Sequence, residues 1–407
     1  MPGLQIYAPR ERALVRAADA LLQPLAWGRA RPVRRATAVR RVLLLRLERI
    51  GDLLMTLDAI ALARTAWPAA TIDLAVGSWN APLARLVPGI GTIHTADVPW
   101  LAREREGDSW TTLVRRAREW KAAQYDVVVN FEPDIRTNFL AWLTGAPERY
   151  GYWTGGGGAF LTRALEFDPA AHVAVNADRV IRAAASREDA GPEAAAALAP
   201  AAESAARPSR LTVPASAAAR ARALLAGAGR PWIGLHVSGG RESKQWHLNR
   251  FADVARRLAT ERGATIVLTG SVADRPMVDA VAAQLPDVRV IDAAGALDLP
   301  DLAGLLAALD LFVTGDTGPM HLASAVATPI VALFGPADPR RYGPRAPLQR
   351  VLRVDLPCSP CGQVRLPPER CRGHVPDCMD GIAVDVVVDA ATDLLDAASR
   401  APQTGAH

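Results

Sequence analysis

At 407 residues, half of them hydrophobic, the chain can bury more than one core, and at roughly 100–200 residues per domain it reads as two domains. A formal charge of +5 and a pI of about 9.3 suit work beside anionic partners: nucleic acid, phosphorylated metabolites or a membrane face. No apolar stretch reaches the roughly 20 residues that cross a bilayer, and the N-terminus lacks the succession of a secretory signal, which predicts a cytoplasmic protein.

Residues 1–40 form a basic N-terminal extension. Its arginines surround an apolar segment, Ala13 to Trp27. Such a stretch can lie on anionic lipid with its apolar face down, or remain a poorly ordered basic tail; both readings stay open.

Short β-branched runs then alternate with helical periods, the signature of βαβ units and a parallel sheet. The first series predicts strands at 42–47, 72–76, 92–95 and 125–130, within a Rossmann-like domain over 41–184. After the first strand, "DLLMTLDAIALARTAWP" places apolar residues at helical spacing and is stopped by Pro68. Residues 131–158 follow the fourth strand, and Gly155 to Gly158 lack the strand-then-helix setting of a dinucleotide fingerprint, so they read as a flexible loop.

Residues 185–229, rich in Ala, Pro and Ser, read as a linker region. A second series predicts strands at 231–240, 265–270, 288–295, 311–315 and 330–335, in a second Rossmann-like domain over 230–381. The helix "NRFADVARRLATERG" should end on Gly263, and "DLPDLAGLLAALD" starts on an acidic residue that suits a helix N-terminus. A C-terminal helix is expected over 382–398. Open α/β sheets bind ligands beyond the carboxyl ends of their strands, so two such domains facing a central cleft are the expected architecture.

The strand-ending loops carry the chemistry. Gly51 and Asp52 follow the first strand. In "GDTGPMH", Pro319 suits the first helical turn, Gly318 admits a ligand close to the backbone, Thr317 adds a hydroxyl, and the first-turn N–H groups can hold a diphosphate, with Asp316 and His321 alongside. In "SGGRESKQW", Gly239 and Gly240 allow a tight turn and Lys244 can reach phosphate oxygens. Asp274, four residues past a strand end, can accept ribose hydroxyls or cap the following helix.

All four cysteines, Cys358, Cys361, Cys371 and Cys378, fall in the loop 357–379. Clustered thiols in a reducing compartment read as ligands of a structural metal such as zinc, or as loosely packed, redox-labile thiols; either way the loop looks architectural.

"RLERIGDLLMT", the pattern H-x-S-G-G-x-x-x-K-x-W and "GDTGPMHLASAVATPIVALFGPADPRRYGP" together resemble glycosyltransferase family 9, the lipopolysaccharide heptosyltransferases, over roughly residues 40–398. The resemblance implies a GT-B architecture and inverting transfer of heptose from ADP-heptose to a lipopolysaccharide inner-core acceptor. It matches Asp52 to the catalytic base, Lys244 to the diphosphate lysine and Asp274 to the ribose ligand. Thr317 and Gly318 match the phosphate turn, and Asp316 and His321 flank the donor sugar. "ERIGD" and "HVSGG" depart from the common forms and bear on acceptor and donor choice.

On the acceptor side, with Gly51, Arg136 and Arg149 are candidates for acceptor phosphates and carboxylates. The chain has no Asp-x-Asp pair to hold a cation on the diphosphate, so no cofactor is expected for catalysis. Its expected partners are an ADP-sugar donor, a glycolipid acceptor and, peripherally, the cytoplasmic face of the inner membrane, with the chain a monomer. Another GT-B sugar-nucleotide enzyme, with a different donor or an epimerase activity, is the alternative. Nucleic-acid binding is disfavoured because the basic residues lack interleaved aromatics and no recognition motif is present.

Overall fold

A computed structural model of the protein describes residues 4–6, 8–27, 38–101, 107–186, 210–365 and 367–400. The chain divides into two compact units, Met1–Ala201 and Ala202–His407. Most of the expected linker, 187–209, and part of the expected basic extension, 28–37, lie outside the described residues.

In the first unit six strands form one parallel sheet: β1 (Arg41–Arg46), β2 (Thr71–Val76), β3 (Ile93–Thr95), β4 (Val127–Asn130), β5 (Glu148–Tyr152) and β6 (Arg163–Leu165). Their order is β3-β2-β1-β4-β5-β6. The central strands are buried on both faces, which is why β1 and β4 read as unbroken apolar runs. Leu43, Leu45 and Val128 pack with Leu113, Trp120 and Leu140 of the covering helices.

The second unit repeats this plan with β7 (Trp232–His236), β8 (Thr265–Thr269), β9 (Val290–Asp292), β10 (Leu311–Gly315), β11 (Ile330–Leu333) and β12 (Gln349–Leu352), all parallel. The order β12-β11-β10-β7-β8-β9 is the same topology read from the other edge. Both sheets therefore have the doubly wound 3-2-1-4-5-6 order, whose direction reverses between its first and fourth strands. Helix signals behave as read: Leu248–Arg262 stops at Gly263 with φ of +65°, and the carboxylate of Asp298 accepts the Asp301 N–H at 2.8 Å ahead of Leu299–Ala308.

The sequence reading missed β5, β6 and β12. It also took Gly155 to Gly158 as a flexible loop, which the fold corrects. Gly155, Gly156 and Gly157 are buried, and Gly158 begins a short 3-10 turn. The cause is the helix α1 (Pro9–Trp27), which packs against them. Val15 is buried where a Cβ on Gly156 would stand 2.2 Å from its Cγ1, and Asp19 accepts the Gly157 N–H at 2.7 Å. The N-terminal segment is thus a docked part of the first unit, with Gln5 donating to the Phe167 carbonyl at 2.9 Å. Leu14 and Leu21, 72% and 82% exposed, lie off the docked face. Among the described residues no helix is long and apolar enough to cross a membrane.

Candidate functional site

Each sheet brings chemistry to its reversal point, at the carboxyl ends of the first and fourth strands. In the first unit these are β1 and β4, paired with Leu45 beside Asn130. The chain leaves β1 through Leu47, Glu48 and Arg49 and enters α2 (Ile50–Met55), which holds Gly51 and Asp52 in its first turn. The carboxylate of Asp52 accepts the Arg49 N–H at 3.1 Å, so it caps the helix as well as standing at the strand end.

The turn is held from several sides. Glu132, just past β4, accepts the main-chain N–H of Leu47 and, at 3.1 Å, that of Glu48. Trp79 Nε1 and Asn80 Nδ2 donate to the Glu48 carbonyl at 2.9 and 2.8 Å. Beneath the turn Arg46 is nearly enclosed, its side chain 4% exposed. It pairs with Glu48 Oε2 at 2.8 Å, donates to the Phe131 and Asp52 carbonyls at 3.2 Å each, and stands 3.7 Å from Asp52 Oδ1. Burial, followed by the negative charge of Glu48, pushes the Glu132 carboxyl well above its ordinary value.

The sequence reading missed Arg46, Glu48 and Glu132. Their one available signal was charge at the very end of two apolar strands.

Arg136 and Arg149 each have partners of their own in this unit. Arg136 pairs with Asp134 at 2.5 Å and with Glu11 of α1 at 3.8 Å, and stacks 4.4 Å above the Trp100 ring. Arg149 donates to the Phe160 carbonyl at 2.8 Å and to that of Ala146, so its guanidinium ties strand β5 to the loops beside it.

In the second unit the reversal point lies between β7 and β10, where Thr314 is registered with His236. Beyond β7 the backbone turns at Gly239 and Gly240. A Cβ on Gly239 would lie 2.6 Å from the Lys244 carbonyl, and Gly240 has φ of +65°, so both positions need glycine. Trp246, buried and bonded through Nε1 to the Ile382 carbonyl at 3.2 Å, anchors the far side of this loop. Lys244 is thereby carried across to the end of β10. Its ammonium donates to the Asp316 main-chain oxygen and lies 3.2 Å from the Asp316 carboxylate.

The helix Gly318–Ala325 starts directly after Asp316 and Thr317. Thr317 stands at its N-cap position without a capping side-chain bond; its hydroxyl lies 3.1 Å from that of Thr314 instead. Pro319 occupies the first turn, as read, and His321 is buried one turn along.

Asp274 stands at the N-cap position of the next helix, but its side chain makes no cap bond to that helix. It accepts the N–H and hydroxyl of Ser271 at 2.8 and 2.7 Å, and it precedes the helix Arg275–Ala282. Burial works to raise its pKa, but hydrogen bonds from Ser238 and Ser271 and the nearby His236 outweigh it, leaving the carboxyl below its usual value. His236, which the sequence reading did not single out, is buried with its Nδ1 3.2 Å from Thr269, and burial holds its pKa low.

The four cysteines are free thiols: Cys358 and Cys361 exposed, Cys371 half-buried and Cys378 buried. Burial first, then the neighbouring Cys361, pushes the Cys378 thiol up to about 11. Four thiols are a donor set that suits zinc. Among the described residues, however, no three or more His, Cys, Asp or Glu side chains are grouped to hold a metal ion.

Comparisons with known proteins give these sites a context. A family model described as glycosyltransferase family 9 (heptosyltransferase) matches residues 113–368. The chain is 29% identical over 332 residues to lipopolysaccharide heptosyltransferase 1 of Pseudomonas aeruginosa, covering 79% of this chain and 86% of that protein. Two solved structures share the fold. One is a family 9 glycosyltransferase from Veillonella parvula, with TM-score 0.70 and 24% identity over 88% of this chain and 98% of that one. The other is the Escherichia coli ADP-heptose lipopolysaccharide heptosyltransferase II, with TM-score 0.69 and 20% identity over 88% and 99%.

Proposed function

The chain belongs to glycosyltransferase family 9, and from that premise we propose that it transfers heptose from ADP-heptose to a lipopolysaccharide inner-core acceptor with inversion at the anomeric carbon. Asp52 acts as general base. It takes the proton of the acceptor hydroxyl as that oxygen forms a bond to the anomeric carbon. The bond from this carbon to the diphosphate oxygen breaks, and its electron pair leaves with ADP. No second carboxylate is needed, since one displacement inverts the configuration.

The departing diphosphate is received by Lys244 and the first turn of Gly318–Ala325. This assignment explains why Thr317 leaves the helix start uncapped by its own side chain. Asp274, whose carboxyl is held below its usual value by its serines, accepts the ribose hydroxyls. Asp316 and His321 flank the sugar. With no Asp-x-Asp pair in the sequence, the charge of Lys244 and the helix start carries the stabilisation that a cation supplies elsewhere.

The observation that carries this reading is the pairing of opposite chemistries at equivalent points of two like sheets: a partly exposed carboxylate after β1, and an ammonium beside an uncapped helix start after β7 and β10. Transfer is tested with ADP-heptose and a heptose-deficient lipid A–core acceptor, following the product by mass spectrometry. The Asp52→Asn variant should bind ADP with wild-type affinity and form no product; transfer by it at the wild-type rate would refute the assignment.

A lipid-linked acceptor gives α1 a second use. Its docked face leaves Leu14 and Leu21 outward, with Arg10 and Arg16 exposed beside them, a pattern suited to peripheral contact with the anionic cytoplasmic leaflet.

A further inference from the structure

We infer that Arg46 is a positioning residue for Asp52, fixing the orientation of that carboxylate and favouring its ionised form from beneath the turn between β1 and α2. The inference rests on Asp52 being the base and addresses what prepares it.

A general base has three requirements: it must be reachable, ionised, and turned one way. Asp52 is reachable, with its side chain 26% exposed. One carboxylate oxygen, Oδ2, is held by the Arg49 N–H at 3.1 Å. The other, Oδ1, faces the Arg46 guanidinium at 3.7 Å, while Nε of the same guanidinium donates to the Asp52 main-chain oxygen at 3.2 Å. The planar fork therefore addresses the residue's backbone and its side chain together, which a lysine ammonium cannot do with fixed geometry. Its remaining donor, Nη1, goes to Glu48 Oε2 at 2.8 Å and the Phe131 carbonyl at 3.2 Å. Arginine at the end of a buried strand is costly unless such partners are built around it.

The charges around Arg46 and its partners come from several elements packed on the turn. Arg46 ends β1; Glu48 and Arg49 are on the turn itself. Glu132 and Asp134 follow β4, Tyr152 ends β5, and Asp178 and Arg179 belong to the helix Val173–Ala185. Glu132 serves the turn as an acceptor of two main-chain N–H groups, and its raised pKa limits the charge it adds. On this inference Arg46 favours the Asp52 carboxylate, while Glu48 takes a share of the same guanidinium and adds a second negative charge to the turn.

That competition gives two variants with opposite signs. The readout is the pH dependence of kcat/KM, measured as ADP release from ADP-heptose with the lipid A–core acceptor. Removing the charge in Arg46→Gln should move the acid limb up by about one to three pH units. Arg46→Lys should keep the limb within about half a unit of wild type while lowering kcat, because the charge stays and the fork is lost. Glu48→Gln should move the limb down, since it removes a repelling charge and frees the guanidinium for Asp52.

ADP affinity by calorimetry, read on the other unit, should stay within about twofold in all three and certifies that they fold. Should Arg46→Gln fail to fold, Glu48→Gln decides, because the Glu48 side chain is 30% exposed and its loss leaves no cavity. Unmoved acid limbs in folded Arg46→Gln or in Glu48→Gln, with Asp52→Asn inactive, would overturn this inference and leave the base in place. Transfer by Asp52→Asn would instead remove the base assignment, and the inference with it.

Discussion

Replacing Lys244 with methionine keeps the length of the stem and removes the cation. In the fold that ammonium is largely enclosed, donating to the Asp316 carbonyl and lying 3.2 Å from its carboxylate. On the proposed reading a bound diphosphate shares it, and its loss then has two parts. The charge-assisted hydrogen bond to phosphate contributes about 1.5–3 kcal/mol. The Asp316 carboxylate, no longer neutralised, also repels the diphosphate. At about 6 Å and an effective dielectric of about 20, this repulsion is roughly 3 kcal/mol per charge, and partial exposure and salt reduce it to about 1 kcal/mol. Together the two parts come to about 2.5–4 kcal/mol, or roughly 10²- to 10³-fold weaker ADP binding. Titration calorimetry with ADP and with adenosine separates the contributions. Adenosine lacks the diphosphate and should bind Lys244→Met as it binds wild type, and adding Asp316→Asn should recover about fivefold of the ADP affinity. ADP binding within threefold of wild type, or an equal loss for adenosine, would refute the diphosphate role.

Three further outcomes follow from the geometry. The buried Glu132 carboxyl keeps its proton above its ordinary 4.5, so from about pH 4.5 upward the unfolded chain releases a proton that the native state retains. Stability should fall as pH rises through that window, by up to about 1.4 kcal/mol per unit, and Glu132→Gln should flatten the slope in urea titrations at stepped pH; parallel slopes would sink the idea. Gly156→Ala places a methyl 2.2 Å from Val15 at φ of +89°, and it should cost about 1–3 kcal/mol and expose α1 to limited proteolysis, whereas an unchanged cleavage pattern would show that α1 is not held there. Ellman's reagent at pH 8 should label Cys358 and Cys361 rapidly and Cys378 only after denaturation, given its burial and a pKa of about 11; equal rates for all would contradict this packing.

How much of this was legible in the sequence depended on which contacts were local. Strands β1, β4, β7 and β10 announce themselves because helices cover both faces and leave only apolar side chains. Strand β5 does not, since Glu148, Arg149 and Tyr150 look like a loop until Glu148 is seen to accept the Tyr150 hydroxyl at 2.9 Å and Arg149 to bond the loops beside it. Strands β6 and β12 are short edge strands with exposed or half-buried residues, so their patterns carry little periodicity. The docking of α1 was hidden for another reason. Its partner is a run of glycines some 140 residues away, whose lack of side chains reads as mobility when it is space for a helix.

The same division separates the parts of the site. Asp52, Lys244, Asp316 and Thr317 were visible because each lies in the segment that follows a strand end, where a functional group has few other reasons to occur. Arg46 and Glu132 were not, because a buried charge acquires meaning only from its partner, and here the partners come together across 85 residues at the reversal point of the sheet. The two sheets have one topology and hence one kind of reversal point, yet they fill it oppositely. One carries a carboxylate braced by a hidden guanidinium; the other carries an ammonium braced by a carboxylate beside an uncapped helix. On the proposed displacement the first charge removes the acceptor proton and the second receives the diphosphate.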